Sequence, residues 1–172
     1  MTSDESTLVV GSFMQLEILK KNGSAYVLHQ TIFESEASFE MKLSGDGKEL
    51  ISGSHSLNIY LDNGTHFVLS QTLSLGFFCM GIRSINGLLQ AYGDSLEIRF
   101  YEPTTSGYSL KYTILTNEPY IQEISVLEDG NKMMLGGPSE NLSEYTLNAG
   151  TFELTQQLET SSPMLGIFVD PN

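Results

Sequence analysis

The sequence predicts an all-β fold that is built from repeated units and forms a single domain over residues 1–172. Short apolar runs alternate with turn residues such as Gly, Asn and Ser along the whole chain. No stretch shows the sustained 3.6-residue periodicity of an amphipathic helix. The same side-chain pattern returns four times, which is typical of a repeat architecture. With 40% hydrophobic residues in 172, the chain is long and apolar enough to bury a substantial core.

The clearest repeat is the run that closes each unit. Every copy begins with an aromatic residue and has Leu at its third position and Ile or Leu at its seventh. These positions share one face of a strand, because side chains alternate with period two. The copies are residues 26–32 (YVLHQTI), 67–73 (FVLSQTL), 108–114 (YSLKYTI) and 152–158 (FELTQQL), with the leading aromatics 41, 41 and 44 residues apart.

A second run precedes the closing run in each copy. Its shared leucines are Leu16, Leu57, Leu96 and Leu142, and a glycine (Gly23, Gly64, Gly107 and Gly150) precedes each turn into the closing run. The pairs Asn22-Gly23 and Asn63-Gly64 predict hairpins, because such turns need positive φ. Two further short runs complete every copy, so each unit contains four strands in about 42 residues, as in a propeller blade. The predicted units are residues 1–37 plus 163–172, 38–76, 77–118 and 119–162.

The best copy, residues 48–64 (KELISGSHSLNIYLDNG), resembles the WD-repeat family of β-propellers. Gly53-Ser54 stands after the family's second strand, and Leu57, Ile59 and Tyr60 stand in its third. The family's Trp-Asp pair is replaced by Tyr60-Leu61, and its Gly-His pair is absent, so the hydrogen-bond network of those motifs is not carried over. A quinoprotein-like or other propeller family is an alternative.

This resemblance implies a β-propeller with four four-stranded antiparallel blades. The last strand, residues 165–169, would close the first blade beside residues 8–11, which would remove exposed strand edges. Three arrangements stay open: a closed four-blade ring, two chains forming an eight-blade ring as a homodimer, and a piece of a longer propeller.

The charge of the chain limits its partners. The formal net charge is -13, which argues against a nucleic-acid backbone and an anionic membrane surface but permits a basic partner. The single cysteine, Cys79, lies in an apolar run and is expected to be buried. Without a secretory signal or a membrane-length apolar run, a cytoplasmic location is the default expectation.

Catalytic patterns are missing from the sequence. The string Ser52 to Ser56 lacks the second glycine of a nucleophile elbow, and the three histidines lack metal-ligand spacing. We therefore expect no catalytic residue, no metal and no cofactor, and a non-enzymatic protein.

In WD-repeat proteins, the loops before the first strand and between the second and third form one face of the disc. Transferred to this chain, the resemblance implies an acidic face with an apolar spot at Phe13 and Met14, suited to a basic peptide or protein. The predicted partner-binding residues are Glu34, Glu36, His55, Asp94, Glu118 and Glu140, with Glu159 on the same side. The predicted function is a protein–protein interaction scaffold.

Two alternatives to the interaction scaffold stay open. Glu40 and Glu123 occupy the same place in the inner strands of two opposite units, where two carboxylates in a central channel could hold a cation or a small ligand. The chain could also be a structural subunit of a larger assembly.

Overall fold

The structure, a computed structural model, describes residues 1–127, 130–163 and 167. Within these ranges the chain forms fifteen β-strands and no helix, which confirms the predicted all-β class. The described ranges accordingly contain no helix long and apolar enough to span a membrane. The chain divides into two compact units, Met1–Cys79 and Met80–Asn172.

The first unit contains seven strands in two antiparallel sheets. They are β1 (Thr7–Ser12), β2 (Gln15–Asn22), β3 (Ala25–Phe33), β4 (Glu40–Leu43), β5 (Glu49–Gly53), β6 (Ser56–Asp62) and β7 (Phe67–Ser74). Successive strands pair within each sheet, with the orders β1-β2-β3 and β4-β5-β6-β7.

The second unit also consists of two antiparallel sheets. Its strands are β8 (Cys79–Ile85), β9 (Leu88–Gly93), β10 (Glu97–Thr104), β11 (Gly107–Leu115), β12 (Glu123–Val126), β13 (Lys132–Gly136), β14 (Asn141–Asn148) and β15 (Thr151–Glu159). They form two four-stranded antiparallel meanders, β8-β9-β10-β11 and β12-β13-β14-β15. Three of the four predicted four-stranded units are therefore complete within the described residues.

The predicted closing strand at residues 165–169 lies outside the described residues apart from Ile167, which belongs to no strand. The sheet β1-β2-β3 accordingly has three strands in the part of the chain that the structure describes.

Burial falls from the middle strands of each sheet to the last one. Leu50 and Ile51, neighbours in β5, are both fully buried, so this strand packs on both faces. The outermost strand β15 is exposed throughout except for Phe152. The core of the first unit is built from Leu16, Ile18, Leu50, Tyr60 and Phe67, and that of the second contains Tyr92, Phe100, Ile124, Leu135, Tyr145 and Phe152.

A register shift recurs at the same place in every sheet, between its last two strands. It lies between Ile18 and Leu19, Ile59 and Tyr60, Phe100 and Tyr101, and Glu144 and Tyr145. This shift aligns the four copies by their strand pairing, independently of which amino acids they contain.

The shift corrects one position of the predicted repeat. Leu57 lies two residues before its shift, and Ile98 takes that place in the third copy, not Leu96. Ile98 is fully buried, whereas Leu96 is 50% exposed because it belongs to the β9–β10 loop.

The predicted hairpins at Asn22-Gly23 and Asn63-Gly64 are present. Gly23 has φ of 63° and Gly64 has φ of 94°, a region that glycine adopts without steric strain. The β6–β7 loop is longer than the β2–β3 turn, and in it the side chain of Asn63 accepts hydrogen bonds from the amides of Thr65 and His66.

Candidate partner-binding site

Three loops of the first unit meet at one end of its sheets: β1–β2, β3–β4 and β5–β6. The amide of Glu34 donates to the carbonyl of Met14 over 3.0 Å, and the amide of Phe39 donates to the carbonyl of Gly53 over 3.0 Å. These bonds hold the long β3–β4 connection against the short turns on both sides of it.

Glu36 and His55, two of the predicted partner-binding residues, are in contact. Oε2 of Glu36 accepts a hydrogen bond from the hydroxyl of Ser54 at 2.9 Å and lies 3.1 Å from Nδ1 of His55. The Ser54 hydroxyl, followed by His55, lowers the pKa of Glu36, so the carboxylate is ionised at neutral pH. Both side chains are exposed, and Oε1 of Glu36 has no partner among the residues that the structure describes.

Aromatic rings lie beside this charged pair. The rings of His55 and Phe78 meet edge to face with centroids 5.1 Å apart, and those of Phe78 and Phe39 do so at 4.4 Å. Phe39 is 57% exposed. We call Glu36, Phe39, His55 and Phe78 the Glu36 cluster. It offers a free carboxylate oxygen next to an aromatic surface.

Glu34 does not lie on an exposed acidic face, contrary to the sequence-based expectation. It is buried, and its Oε1 accepts hydrogen bonds from Tyr60 (2.8 Å), Asn58 (3.1 Å) and Ser52, while Oε2 accepts one from Ser38. The β3–β4 connection folds this carboxyl group onto side-chain donors of β5 and β6, which replace the water lost on burial. Glu34 is therefore a structural residue.

Glu118 is also buried, at 1% exposure, and the expectation of an exposed position is wrong for it as well. Its Oε1 accepts a hydrogen bond from Ser139, while Oε2 is buried and has no hydrogen-bond partner among the described residues. A Cβ atom on the neighbouring Gly137 would come within 2.9 Å of Oε2, so this glycine makes room for the carboxylate. Burial, and next the charge of Glu118, raise the pKa of Tyr145.

The remaining predicted residues have other surroundings. Asp94 and Glu140 are exposed, at the β9–β10 and β13–β14 loops of the second unit. Glu123 is partly buried in β12 and forms an ion pair with Arg83 at 3.3 Å, which compensates its charge. Glu40 is half-buried at the first position of β4. In the described part of the chain, no three His, Cys, Asp or Glu residues are grouped to hold a metal.

Sequence reasoning missed the aromatic half of the Glu36 cluster. Neither Phe39 nor Phe78 is among the predicted binding residues, and each stands one residue before a strand, since β4 begins at Glu40 and β8 at Cys79. Both rings therefore belong to loop ends and not to strands. Their equivalent place in two successive copies is a signal that could have identified them.

No protein-family model matches the chain, and no curated protein matches it. Solved structures with the same fold do exist. One is a functionally unknown protein from Desulfotomaculum acetoxidans, with a TM-score of 0.77 and 16% identity over 99% of this chain and 58% of that one.

Two further solved structures are similar over most of this chain. One belongs to the structure of a mitotic checkpoint complex, with a TM-score of 0.75, 15% identity, and coverage of 94% of this chain and 54% of that one. The other is a protein from Lactobacillus plantarum, with a TM-score of 0.75, 16% identity, and coverage of 90% and 54%. The chain thus spans a little more than half the length of the solved chains that it matches, and at these identities the likeness concerns the fold alone.

Proposed function

We propose that the chain is a divergent WD-repeat-like β-propeller with four blades, and that it acts as a non-enzymatic module binding a basic segment of another protein. Four repeated meanders with a common register shift support the propeller. The Glu36 cluster is the part of the predicted loop face that would receive a lysine or arginine side chain.

One observation carries this proposal: the carboxylate of Glu36 is exposed and held in place, yet keeps one oxygen free. Ser54 and His55 fix Oε2, so the side chain loses less conformational freedom when a cation binds Oε1. The net charge of -13 would attract the same partner from a distance.

The aromatic rings supply the second half of recognition. A guanidinium or ammonium group bound to Glu36 would place its aliphatic stem or its charge over Phe39, which is exposed. Contacts of a cation with an aromatic face contribute about 0.5–1 kcal/mol at exposed sites. A basic side chain would thus be preferred over both an acidic and a purely apolar one.

An array of peptides with matched lengths tests this proposal, comparing Arg- and Lys-containing sequences with their Glu-containing counterparts. We expect the basic peptides alone to bind. Charge reversal by Glu36→Lys should abolish that binding, and Phe39→Ala should weaken it about threefold.

The matched control is Glu5→Lys. It makes the same charge change in the same unit, at an exposed carboxylate paired with Lys21 near the opposite ends of the strands. If Glu5→Lys reduced binding as much as Glu36→Lys, the attraction would be a property of the net charge, and the Glu36 cluster would not be the site.

The propeller has three proposed forms: one chain with four blades, two chains with eight, and a piece of a longer propeller. The solved chains that match over this fold are longer than this chain, which makes the forms with more than four blades specific alternatives. Light scattering separates the single-chain ring from the two-chain ring, because the first has a mass of 19.0 kDa and the second twice that mass.

A further inference from the structure

Three Asn-Gly pairs occur in the chain, and each of them lies at a connection between two strands. They are Asn22-Gly23 at the β2–β3 turn, Asn63-Gly64 in the β6–β7 loop and Asn86-Gly87 in the β8–β9 turn. The asparagine is exposed in all three pairs, and the glycine that follows it has positive φ in all three. Sequence and exposure therefore do not distinguish one pair from another.

An Asn-Gly pair can convert its asparagine to an acid without an enzyme. The backbone nitrogen of the glycine loses its proton and attacks Cγ of the asparagine, so that a C–N bond forms and the side-chain nitrogen leaves as ammonia. Water then opens the resulting succinimide ring to aspartate or isoaspartate, and no oxidant or cofactor is required. Glycine favours the attack because it has no Cβ to obstruct it. The reaction needs a side-chain amide and a glycine nitrogen that are both free to approach each other.

Hydrogen bonds hold both reacting groups of the pair at Asn63. Oδ1 of Asn63 accepts from the amides of Thr65 and His66, both at 3.0 Å, and from the hydroxyl of Thr65 at 2.8 Å. The amide of Gly64 donates to Oδ1 of Asp62 at 2.9 Å. This carboxylate disfavours loss of the proton from the Gly64 nitrogen, because a second negative charge would form beside it.

Asn86 is held through its side-chain amide. Nδ2 of Asn86 donates to the carbonyl of Gly130 at 2.8 Å. A Cβ atom on Gly130 would collide with Oδ1 of Asn86, so the amide group packs closely against this glycine. Rotation of the amide towards the nitrogen of Gly87 would therefore break a hydrogen bond and a close contact.

Asn22 lacks these restraints. Among the residues that the structure describes, neither its side chain nor the amide of Gly23 has a hydrogen-bond partner. A Cβ atom on Gly23 would meet no other atom within 4 Å, so the turn is open around the attacking nitrogen. The pairing of Asn22 with Ala25 at the end of the hairpin involves the backbone alone.

We propose that Asn22 is a site of spontaneous deamidation in the folded protein, whereas Asn63 and Asn86 are protected by their hydrogen bonds. The product carries one more negative charge at the β2–β3 turn. Isoaspartate also adds a methylene group to the backbone at the position that pairs with Ala25, so it changes the geometry of the hairpin end.

Peptide mass spectrometry of the full chain, stored at neutral pH and elevated temperature, tests the proposal. We expect Asn22 to deamidate at least about tenfold faster than Asn63, the size of two hydrogen bonds, and about fivefold faster than Asn86, the size of one. Digestion at mildly acidic pH prevents further conversion during handling. Methylation by a carboxyl methyltransferase specific for isoaspartate distinguishes that product from aspartate.

The matched reference is the same protein unfolded in urea, where no fixed hydrogen bonds remain and the three rates should become similar. In the folded protein, Asp62→Ala frees the amide of Gly64 and should accelerate deamidation of Asn63 while leaving Asn22 unchanged. Equal rates at Asn22 and Asn63 in the folded protein would overturn the proposal. So would a folded protein in which Asn22 reacts tenfold or more slowly than it does in urea. Peptide binding at Glu36 plays no part in these outcomes, because no residue is shared.

Discussion

The hydroxyl of Tyr60 donates a hydrogen bond to Oε1 of Glu34 over 2.8 Å, joining a strand of one sheet to the connection that leads into that sheet. Ser52 and Asn58 donate to the same oxygen. Tyr60 therefore anchors a hydrogen-bond network that joins β5 and β6 to the β3–β4 connection.

We expect Glu34→Gln to destabilise the protein by about 2 kcal/mol, because the amide cannot accept every hydrogen bond that the buried carboxylate accepts and brings two donors of its own. Urea denaturation measures the change as a lower midpoint at unchanged slope. Glu36→Gln is the control, since its side chain is exposed, and it should leave the midpoint nearly unchanged. Equal midpoints for the two variants would contradict the structural role of Glu34.

Gly137→Ala should be strongly destabilising, by about 3 kcal/mol or more. A Cβ atom there would lie 2.3 Å from the backbone carbonyl oxygen of Tyr120 and 2.9 Å from Oε2 of Glu118, and the backbone cannot move aside cheaply. The matched variant is Gly45→Ala, whose Cβ would meet no atom closer than 3.9 Å. Thermal unfolding compares them, and a similar Tm for both variants would refute the tight packing around Glu118.

The free energy of unfolding should fall in alkaline solution, and part of that fall should come from the ionisation of Tyr112. Burial raises the pKa of Tyr112 from its ordinary value of 10.0 to about 12. The folded state therefore holds this proton more tightly than the unfolded chain does. The resulting stabilisation is complete below pH 10.0 and is lost as the pH rises towards about 12.

Urea midpoints measured across that interval check the prediction. Tyr112→Phe should make the decline shallower than it is in the unchanged protein. An identical decline in the two proteins would mean that Tyr112 does not titrate in this interval.

Binding of a basic peptide should also report the pKa of Glu36, which Ser54 and His55 lower below its ordinary value of 4.5. The charged form persists as the pH falls to 4.5, so affinity should be retained there and lost only at lower pH. Ser54→Ala removes the largest cause of the shift and should move the loss of affinity to higher pH. Fluorescence anisotropy of a labelled peptide follows both curves, and coincident curves would argue against Glu36 as the cation's partner.

The repeated architecture could be predicted from the sequence because strand patterns and turn residues are local signals. The run from Ser56 to Ile59 alternates between partly buried and buried side chains as its strand requires, and Gly23 marks the β2–β3 hairpin. Leu96 shows the limit of this approach. Sequence alignment of the copies placed it in a strand, but it lies in the longer β9–β10 loop, and Ile98 is the buried residue at the equivalent position.

The candidate site could be predicted only in part, for a different physical reason. Glu34 and Glu36 are two residues apart in one loop, yet one is buried and the other is exposed. The difference comes from their hydrogen-bond donors. Glu34 is bound by Ser52 on β5 and Tyr60 on β6, whereas Glu36 is bound by Ser54 in the neighbouring turn. Such pairings depend on strand register, which composition and spacing do not contain.

The register shift before the last strand of every sheet has a further consequence, for the behaviour of the protein at high concentration. The last strands, β3, β7, β11 and β15, are edges of their sheets and each carries an exposed leucine: Leu28, Leu69, Leu110 and Leu154. A flat apolar edge of this kind is a template for pairing between molecules. A bulge bends the strand and increases its twist, so the edge no longer matches a straight partner. We therefore expect the recurring irregularity to limit edge-to-edge pairing between molecules at strands that each expose a leucine.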